Sequence, residues 1–356
     1  MNRPIEEKNV VTAQTRIACP LDFDKAGRQV GHLRLPYSSN TSAYGWIGIP
    51  IAVIRNGSGP TVYLGGGNHG DEYEGQISLV RLIQELDPAR IQGRLIILPA
   101  TNLPAAMNHS RCSPIDGGNL NRSFPGEANA PDNRPTAAIA HYVEEVLLPM
   151  CDAMLDMHSG GKTLDYVPSG LVRRDGPDDP LFARKLEALK AYGAPIGYVV
   201  EGGGMPAAGG GIAAATITCA ADRKGVLGMG TELGGAGTVT LDTLGVARRG
   251  IENFLAFMGV MEKPATANRP KSRLLKVAGP DYYVHAPCRG AFEPAFRLGD
   301  EVESGQVCGW IHQIDEPDQP SREVRFARAG VAFCKRPITA VERGDCLAHL
   351  GTDWQG

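Results

Sequence analysis

Three times along this chain a short β-prone run breaks into glycines and delivers a histidine or a glutamate. The first is Thr61-Val-Tyr-Leu-Gly-Gly-Gly-Asn-His-Gly-Asp-Glu72, the second Cys151-Asp-Ala-Met-Leu-Asp-Met-His158-Ser-Gly-Gly161, and the third Gly228-Met-Gly-Thr-Glu232-Leu-Gly-Gly235. After the first, Leu79, Leu82, Ile83 and Leu86 follow at the spacing of a helix's buried face. Strands alternating with helices predict a mostly parallel sheet covered on both faces. In such sheets ligands bind beyond the carboxyl ends of the strands. His69, Glu72, His158 and Glu232 should then all project from one edge of one sheet.

The remaining chain fits this frame. Short β-prone runs from His32 to Ile54 follow a loose tail of about 15 residues, and Asn56-Gly-Ser-Gly-Pro60 turns the chain into the first strand. Arg94 to Pro99 is a continuous apolar run, as in a buried parallel strand. Residues 102–135 are rich in Asn, Gly, Pro and Ser, so a long irregular segment is expected there, of the kind that is usually functional or disordered. Helices are expected with Ile139, Val143, Val146 and Leu147 on one face, over 181–191, and with Leu244, Ile251, Leu255 and Met258 on one face. Further strands are expected at 153–157, 198–200 and 225–230, with a glycine-rich loop at 202–211.

Composition shifts at the polar, proline-containing stretch Lys263 to Pro270. The expected division is a catalytic domain over 1–264, with an N-terminal β segment at about 16–55, and a small all-β domain over 265–356. Within the latter, Phe296 to Gly309 resembles the turn-and-strand unit of biotinyl and lipoyl domains, and Val341 to Ala348 looks like a second copy. A compact β-sandwich is the expected product. A covalent carrier needs a lysine at the hairpin tip, and Asp315 to Ser321 contains none.

Net charge is −3 with no block of like charge, which argues against nucleic-acid or membrane-surface binding. No run approaches the roughly 18 apolar residues of a membrane span, and the N-terminus lacks the apolar core of a signal peptide. The eight cysteines form no Cys-x-x-Cys pair, and a chain of 356 residues has core enough without disulfide staples. Reduced thiols in a cytoplasmic protein are expected.

Two histidines and one carboxylate are a common catalytic zinc set, with water in the fourth position. A further, unliganded glutamate is what metal-assisted hydrolysis needs as general base. The competing reading makes His158 and Glu232 structural residues capping neighbouring helices. The long loop adds Arg111 and the pair Asn121-Arg122; a guanidinium offers a planar fork for a carboxylate, or merely ties down a loop.

His69-x-x-Glu72, Asn119-Leu-Asn-Arg122, His158 and Glu232 together resemble the motif set of the aspartoacylase/succinylglutamate desuccinylase family. That resemblance implies a zinc-carboxypeptidase-like α/β fold, with a mixed, largely parallel sheet flanked by helices and a barrel-sandwich-like C-terminal β domain. It also implies one zinc ion per chain on His69, Glu72 and His158, with Glu232 as general base and Asn121 and Arg122 on the substrate's α-carboxylate. Arg111 is the nearest match to the family's oxyanion-stabilising arginine, at a different spacing. Within the family, the stretches around His69, Asn119 and His158 are most similar to those of deacetylases acting on N-alpha-acetyl-L-2,4-diaminobutyrate in bacterial ectoine breakdown.

The expected partner is therefore a small N-acyl amino acid, and the resemblance makes a homodimer plausible. Three alternatives stay open: a carboxypeptidase on the same fold, a desuccinylase, and a non-catalytic binding protein built on the β tail. Desuccinylation needs a further cation, for which Lys162, Arg173 and Arg174 are candidates. A diaminobutyrate side chain would want an acidic or carbonyl partner such as Asp165 or Asp116. His109, His141, His285, His312 and His349 read as solvated or structural.

Overall fold

The computed structural model describes residues 14–201, 215–262 and 271–356; the glycine-rich loop 202–211, the stretch 263–270 and nearly all of the expected N-terminal tail lie outside them. An antiparallel pair opens the fold, β1 (Gly27–Pro36) with β2 (Trp46–Asn56). The Asn56–Pro60 turn leads into β3 (Thr61–Gly66), then α1 (Tyr73–Glu85) and β4 (Gly93–Leu98). Next come α2 (Leu103–Met107), α3 (Pro135–Tyr142), β5 (Ala153–His158), β6 (Asp165–Tyr166) and β7 (Ser169–Arg173). The α/β part closes with α4 (Phe182–Tyr192), β8 (Ile196–Val200), α5 (Ile217–Arg223), β9 (Leu227–Glu232) and α6 (Leu241–Phe257).

Successive side chains of a strand point to opposite faces, and this alternation makes the layers. Val62, Leu64, Leu155 and Met157 pack with Leu79 of α1, Leu189 of α4 and Phe254 of α6. Tyr63, Ile96 and Met154 face the other way, against Ile139 of α3 and Ala220 of α5. Strands buried on both faces have no polar side to offer water, which is why Leu95–Leu98 of β4 read as an unbroken apolar run. In space the strands run β1-β2-β4-β3-β5-β9-β7-β8. The pairs β3–β4, β3–β5, β5–β9 and β7–β8 are parallel, while β2–β4 and β7–β9 are antiparallel. The sheet is thus mixed and largely parallel, as the family resemblance implies.

Three short elements escape the sequence reading. β6 and β7 occupy a stretch that the periodicity leaves empty between the strand at 153 and the helix at 181, and β7 is the strand that reverses direction against β9. The seven-residue α5 is too short for a 3.6-residue period to show. Residues 102–135 are irregular except for α2 and a 3₁₀ turn at Leu120–Arg122. The helix expected around Ile139 is present as α3, prolonged by a wider turn through Val143–Leu147.

The C-terminal strands are β10 (Arg273–Val277), β11 (Tyr283–His285), β12 (Gly290–Pro294), β13 (Glu301–Val302), β14 (Val307–His312), β15 (Arg322–Arg325), β16 (Gly330–Lys335), β17 (Ala340–Val341) and β18 (Cys346–Asp353). Two sheets result. β10, β18, β16 and β13 extend the main sheet, because β10 runs parallel to β8; β15, β14, β12 and β17 form a separate antiparallel sheet. Phe292, Ile311 and Val324 of the second sheet meet Ala332, Leu347 and Leu350 of the first. Tyr166, Ile196 and Tyr198 of the α/β part enter the same cluster. The repeat noted in the sequence is a shared device: a two-residue strand, then a turn closed by Gln306 N–H to Glu303 O or Asp345 N–H to Glu342 O, each 3.1 Å, then a long strand. No described helix is long and apolar enough to cross a membrane.

Candidate metal centre and active site

β3 ends at Gly66; the turn beyond it carries His69, and Glu72 enters α1 from an extended conformation (φ −106°, ψ 96°). The turn lies flat against α2: a Cβ on Gly70 would sit 2.0 Å from the Ala105 carbonyl carbon. β5 and β9 pair in register from Ala153↔Leu227 to His158↔Glu232. Residues paired in this way present side chains to the same face, so His158 and Glu232 stand side by side at the strand ends.

One carboxylate gathers the site. Glu72 Oε1 lies 2.7 Å from His69 Nδ1, and Glu72 Oε2 lies 2.7 Å from His158 Nδ1. The backbone N–H of Ser159 donates to Oε2 (3.1 Å), and Arg111 donates to Oε1 (3.2 Å). All three residues are buried, and their ligand atoms lie within 4.8 Å of one another. Beyond them, His69 Nε2 is 3.0 Å from Asn119 Oδ1, and His158 Nε2 is 2.6 Å from Asp156 Oδ2, which also accepts from Asn68 (3.0 Å). Each Nε2 therefore has an oxygen within reach to receive a proton, although Asn121 Nδ2 also lies 3.2 Å from His158 Nε2; an ion that displaced the Nδ1 protons now directed at the carboxylate would find two lone-pair donors there. A metal-binding histidine characteristically donates its other ring N–H in this way. Two imidazoles so oriented and one carboxylate fit a zinc ion.

Charges follow the same logic. Burial alone would raise the Glu72 pKa, but His69 and His158 outweigh it and hold the carboxyl well below its ordinary range. Burial pulls His158 down, yet Asp156 and Glu72 carry it well above the usual imidazole value; His69 is lowered, chiefly by burial. Glu232 is pushed well above the ordinary carboxyl value by burial first and by the Glu72 charge second. Its Oε2 is buried without a hydrogen-bond partner among the described residues.

A cavity of about 350 Å³ opens over this cluster, lined by His69, Glu72, His158 and Glu232 together with Arg111, Asn121 and Arg122. All seven residues singled out in the sequence therefore share one cavity. The loop residues are anchored: Asn121 Oδ1 accepts from Ile217 N–H (3.0 Å), and Arg122 Nη1 donates to the Asn121 carbonyl (2.7 Å). Of the three further cations considered for an acyl carboxylate, Arg173 lines the cavity, bonded to Asp175 (3.0 Å) and Cys219 (2.8 Å). Lys162 instead donates to the His109 carbonyl (2.6 Å), and Arg174 faces Glu201 (3.7 Å). Asp116 is spent on Thr136 and Gly118, and neither it nor Asp165 lines the cavity.

Two groups escape the sequence reading. Asp156 is one; the Asp-x-His alternation that places it on the face of His158 is a legible signal. The other is a wall from the C-terminal strands: Tyr283, His285, Cys346 and His349 line the same cavity. No local motif marks them. His285 and His349, read in the sequence as solvated or structural, reach the cavity because β11 and β18 pair.

Residues 58–258 match the family model described as the succinylglutamate desuccinylase/aspartoacylase catalytic domain. The chain is 40% identical, over 336 residues and 94% of each chain, to the N-alpha-acetyl-L-2,4-diaminobutyric acid deacetylase of Halomonas elongata. It is 41% identical to a succinylglutamate desuccinylase/aspartoacylase from Rhodobacter sphaeroides of known crystal structure, at a TM-score of 0.87 with 96% of this chain and 100% of that one covered. A product-bound structure of the ectoine utilization protein EutE (DoeB) from Ruegeria pomeroyi aligns at 36% identity and a TM-score of 0.88, covering 96% and 99%.

Proposed function

As a member of the succinylglutamate desuccinylase/aspartoacylase family of amide hydrolases, the chain acts, we propose, on N-alpha-acetyl-L-2,4-diaminobutyrate, hydrolysing it to acetate and the free amino acid with the help of zinc. The observation that carries this reading is the near full-length similarity to a deacetylase of that substrate, joined to a His-Glu-His cluster that shares its cavity with Glu232, whose Oε2 has no hydrogen-bond partner among the described residues. A role in ectoine breakdown is part of the same proposal.

His69, Glu72 and His158 would hold the ion, which supplies Lewis acidity to the attacking water and the acyl carbonyl. Glu232 takes the proton of that water and returns it to the leaving amine; a carboxyl of raised proton affinity suits both halves of the task. Arg111 would stabilise the oxyanion, a role supported by its contact with Glu72 and its 46% exposed side chain. Asn121 and Arg122 hold the α-carboxylate and so fix the amide over the centre. Acetyl is favoured over succinyl because, of the three extra cations considered, only Arg173 lines the cavity, and it is engaged with Asp175.

The test is a panel of N-acetyl, N-succinyl and N-formyl amino acids and blocked peptides, assayed with zinc restored. The N-acetyl-diaminobutyrate should be turned over with the highest kcat/KM. Preference for a peptide would favour a carboxypeptidase, and preference for a succinyl donor a desuccinylase.

A further inference from the structure

The segment that leads from β5 into β6 ties the loops of the centre together. The backbone N–H of Lys162 donates to Oδ2 of the buried Asp71 (3.1 Å), which stands between His69 and Glu72 in the chain. Gly160 N–H donates to Gly234 O (2.8 Å). The N–H groups of Ala236 and Gly237 donate back, to Leu164 O (2.9 Å) and Gly161 O (2.7 Å), which fastens the chain beyond Glu232. Among the described residues, two that are not glycine have left-handed backbone, His109 (φ 52°) and Ala236 (φ 56°), and both bond to this segment. The side chain of Lys162 makes the tie to His109: its Nζ donates to the His109 carbonyl (2.6 Å).

His109 closes α2. Its N–H donates to Ala106 O and that of Ser110 to Ala105 O, each 3.1 Å, the bonding of a helix end whose reversing residue takes left-handed φ. Glycine is the usual residue there, because a side chain makes that conformation unfavourable. Met107, Asn108 and His109 are exposed, so hydrogen bonds rather than apolar burial hold this exit. Arg111 follows two residues later, and its direction towards Glu72 depends on how the chain leaves α2. Gly70 N–H fixes one carbonyl of the exit, that of Ser110 (2.9 Å), and Lys162 fixes the one before it. An ammonium donates a charge-assisted bond, stronger than a neutral one, and its stem here springs from a backbone already pinned on Asp71. We propose that Lys162 is a positioning residue: through the His109 carbonyl it sets the exit of α2, and with it the reach of Arg111 to the acyl carbonyl of the substrate. This inference rests on the deacylase reading above and on the oxyanion role given there to Arg111.

Lys162→Met removes the donor and keeps the stem, whereas Lys162→Arg keeps a donor. Both are assayed on N-alpha-acetyl-L-2,4-diaminobutyrate with the zinc-restored full-length protein, alone and in an Arg111→Ala background. Bound zinc and thermal melts are measured in parallel. Misplacing a catalytic group by about 1 Å costs up to about a hundredfold in rate, so Lys162→Met should lower kcat by about tenfold, with KM changed by less than about twofold. Bound zinc should stay near one per chain, and Lys162→Arg should recover most of the rate. With Arg111 already replaced by Ala, Lys162→Met should cost no further activity, because the group through which it acts is gone. Should Lys162→Met melt early, Lys162→Gln, one bond shorter than lysine, should show the same loss of kcat. Wild-type kcat in both Lys162→Met and Lys162→Gln overturns the proposal. So does a loss that multiplies with that of Arg111→Ala, which marks an effect that bypasses the arginine, or zinc lost in step with activity, which marks an effect on the metal ligands through Asp71. If wild type turns over no N-acyl amino acid, the deacylase reading fails and this role falls with it. If wild type is active and the lysine variants match it, only the positioning role falls.

Discussion

Glu72 is the residue on which the site turns, since one carboxylate contacts both histidines, the Ser159 amide and Arg111. Glu232, by contrast, lines the same cavity with its Oε2 buried and without a hydrogen-bond partner among the described residues. Replacing Glu232 with Gln should therefore leave bound zinc near one per chain, as measured by atomic emission, while kcat falls about 10²–10⁴-fold. Zinc lost in step with activity would instead make Glu232 part of the metal set. His158 supplies a pH dependence. Its pKa in the metal-free protein lies well above the ordinary imidazole value, so near neutrality a proton occupies the group proposed to bind metal. Metal must displace that proton, so affinity should rise with pH, by about tenfold per unit through the neutral range, and fall on acidification. Zinc competition titrations at several pH values check this; a flat profile would mean that His158 does not give up a proton to the ion.

At the level of elements, the centre depends on how closely α1 lies on β5. Gly75 in the first turn of α1 is the contact point: a Cβ there would come within 2.6 Å of Met157 Cβ and 2.7 Å of its carbonyl oxygen. Gly75→Ala should destabilise the fold by about 1–3 kcal/mol through overpacking. It should also weaken zinc binding by more than its effect on stability suggests, because α1 carries Glu72 and β5 carries His158. Denaturant melts alongside zinc titration separate the two effects; unchanged affinity would show that the helix entrance adjusts independently. The register of β5 against β9 is equally decisive, for a one-residue slip would turn Glu232 to the opposite face from His158.

Across the whole molecule, the C-terminal strands are a continuation of the catalytic sheet. β10 covers the edge of β8, and the cluster around Phe333 and Leu350 receives Tyr166, Ile196 and Tyr198 from the α/β part. A chain ended after Glu262 should expose both the unpaired β8 edge and that apolar surface, and so aggregate. Size-exclusion chromatography of the shortened chain tests this; a soluble monomer with full activity would show that the β strands are dispensable.

Much of this was written locally. The glycine-terminated β runs with His69, Glu72, His158 and Glu232 specify strand ends, a turn and helix starts through short-range rules of backbone freedom and apolar period, and those rules read directly off the chain. That His69, Glu72 and His158 cluster at one sheet edge was legible for that reason. The reversal of β7, the fusion of β10 to β8, and the arrival of Tyr283 and His349 at the cavity were not. They depend on which strand edges meet in space, and backbone edges pair through the same N–H and C=O groups whatever the side chains. Only the packed sheet selects among those pairings, by burying one set of apolar faces together, and it thereby decided which distant side chains would line the cavity.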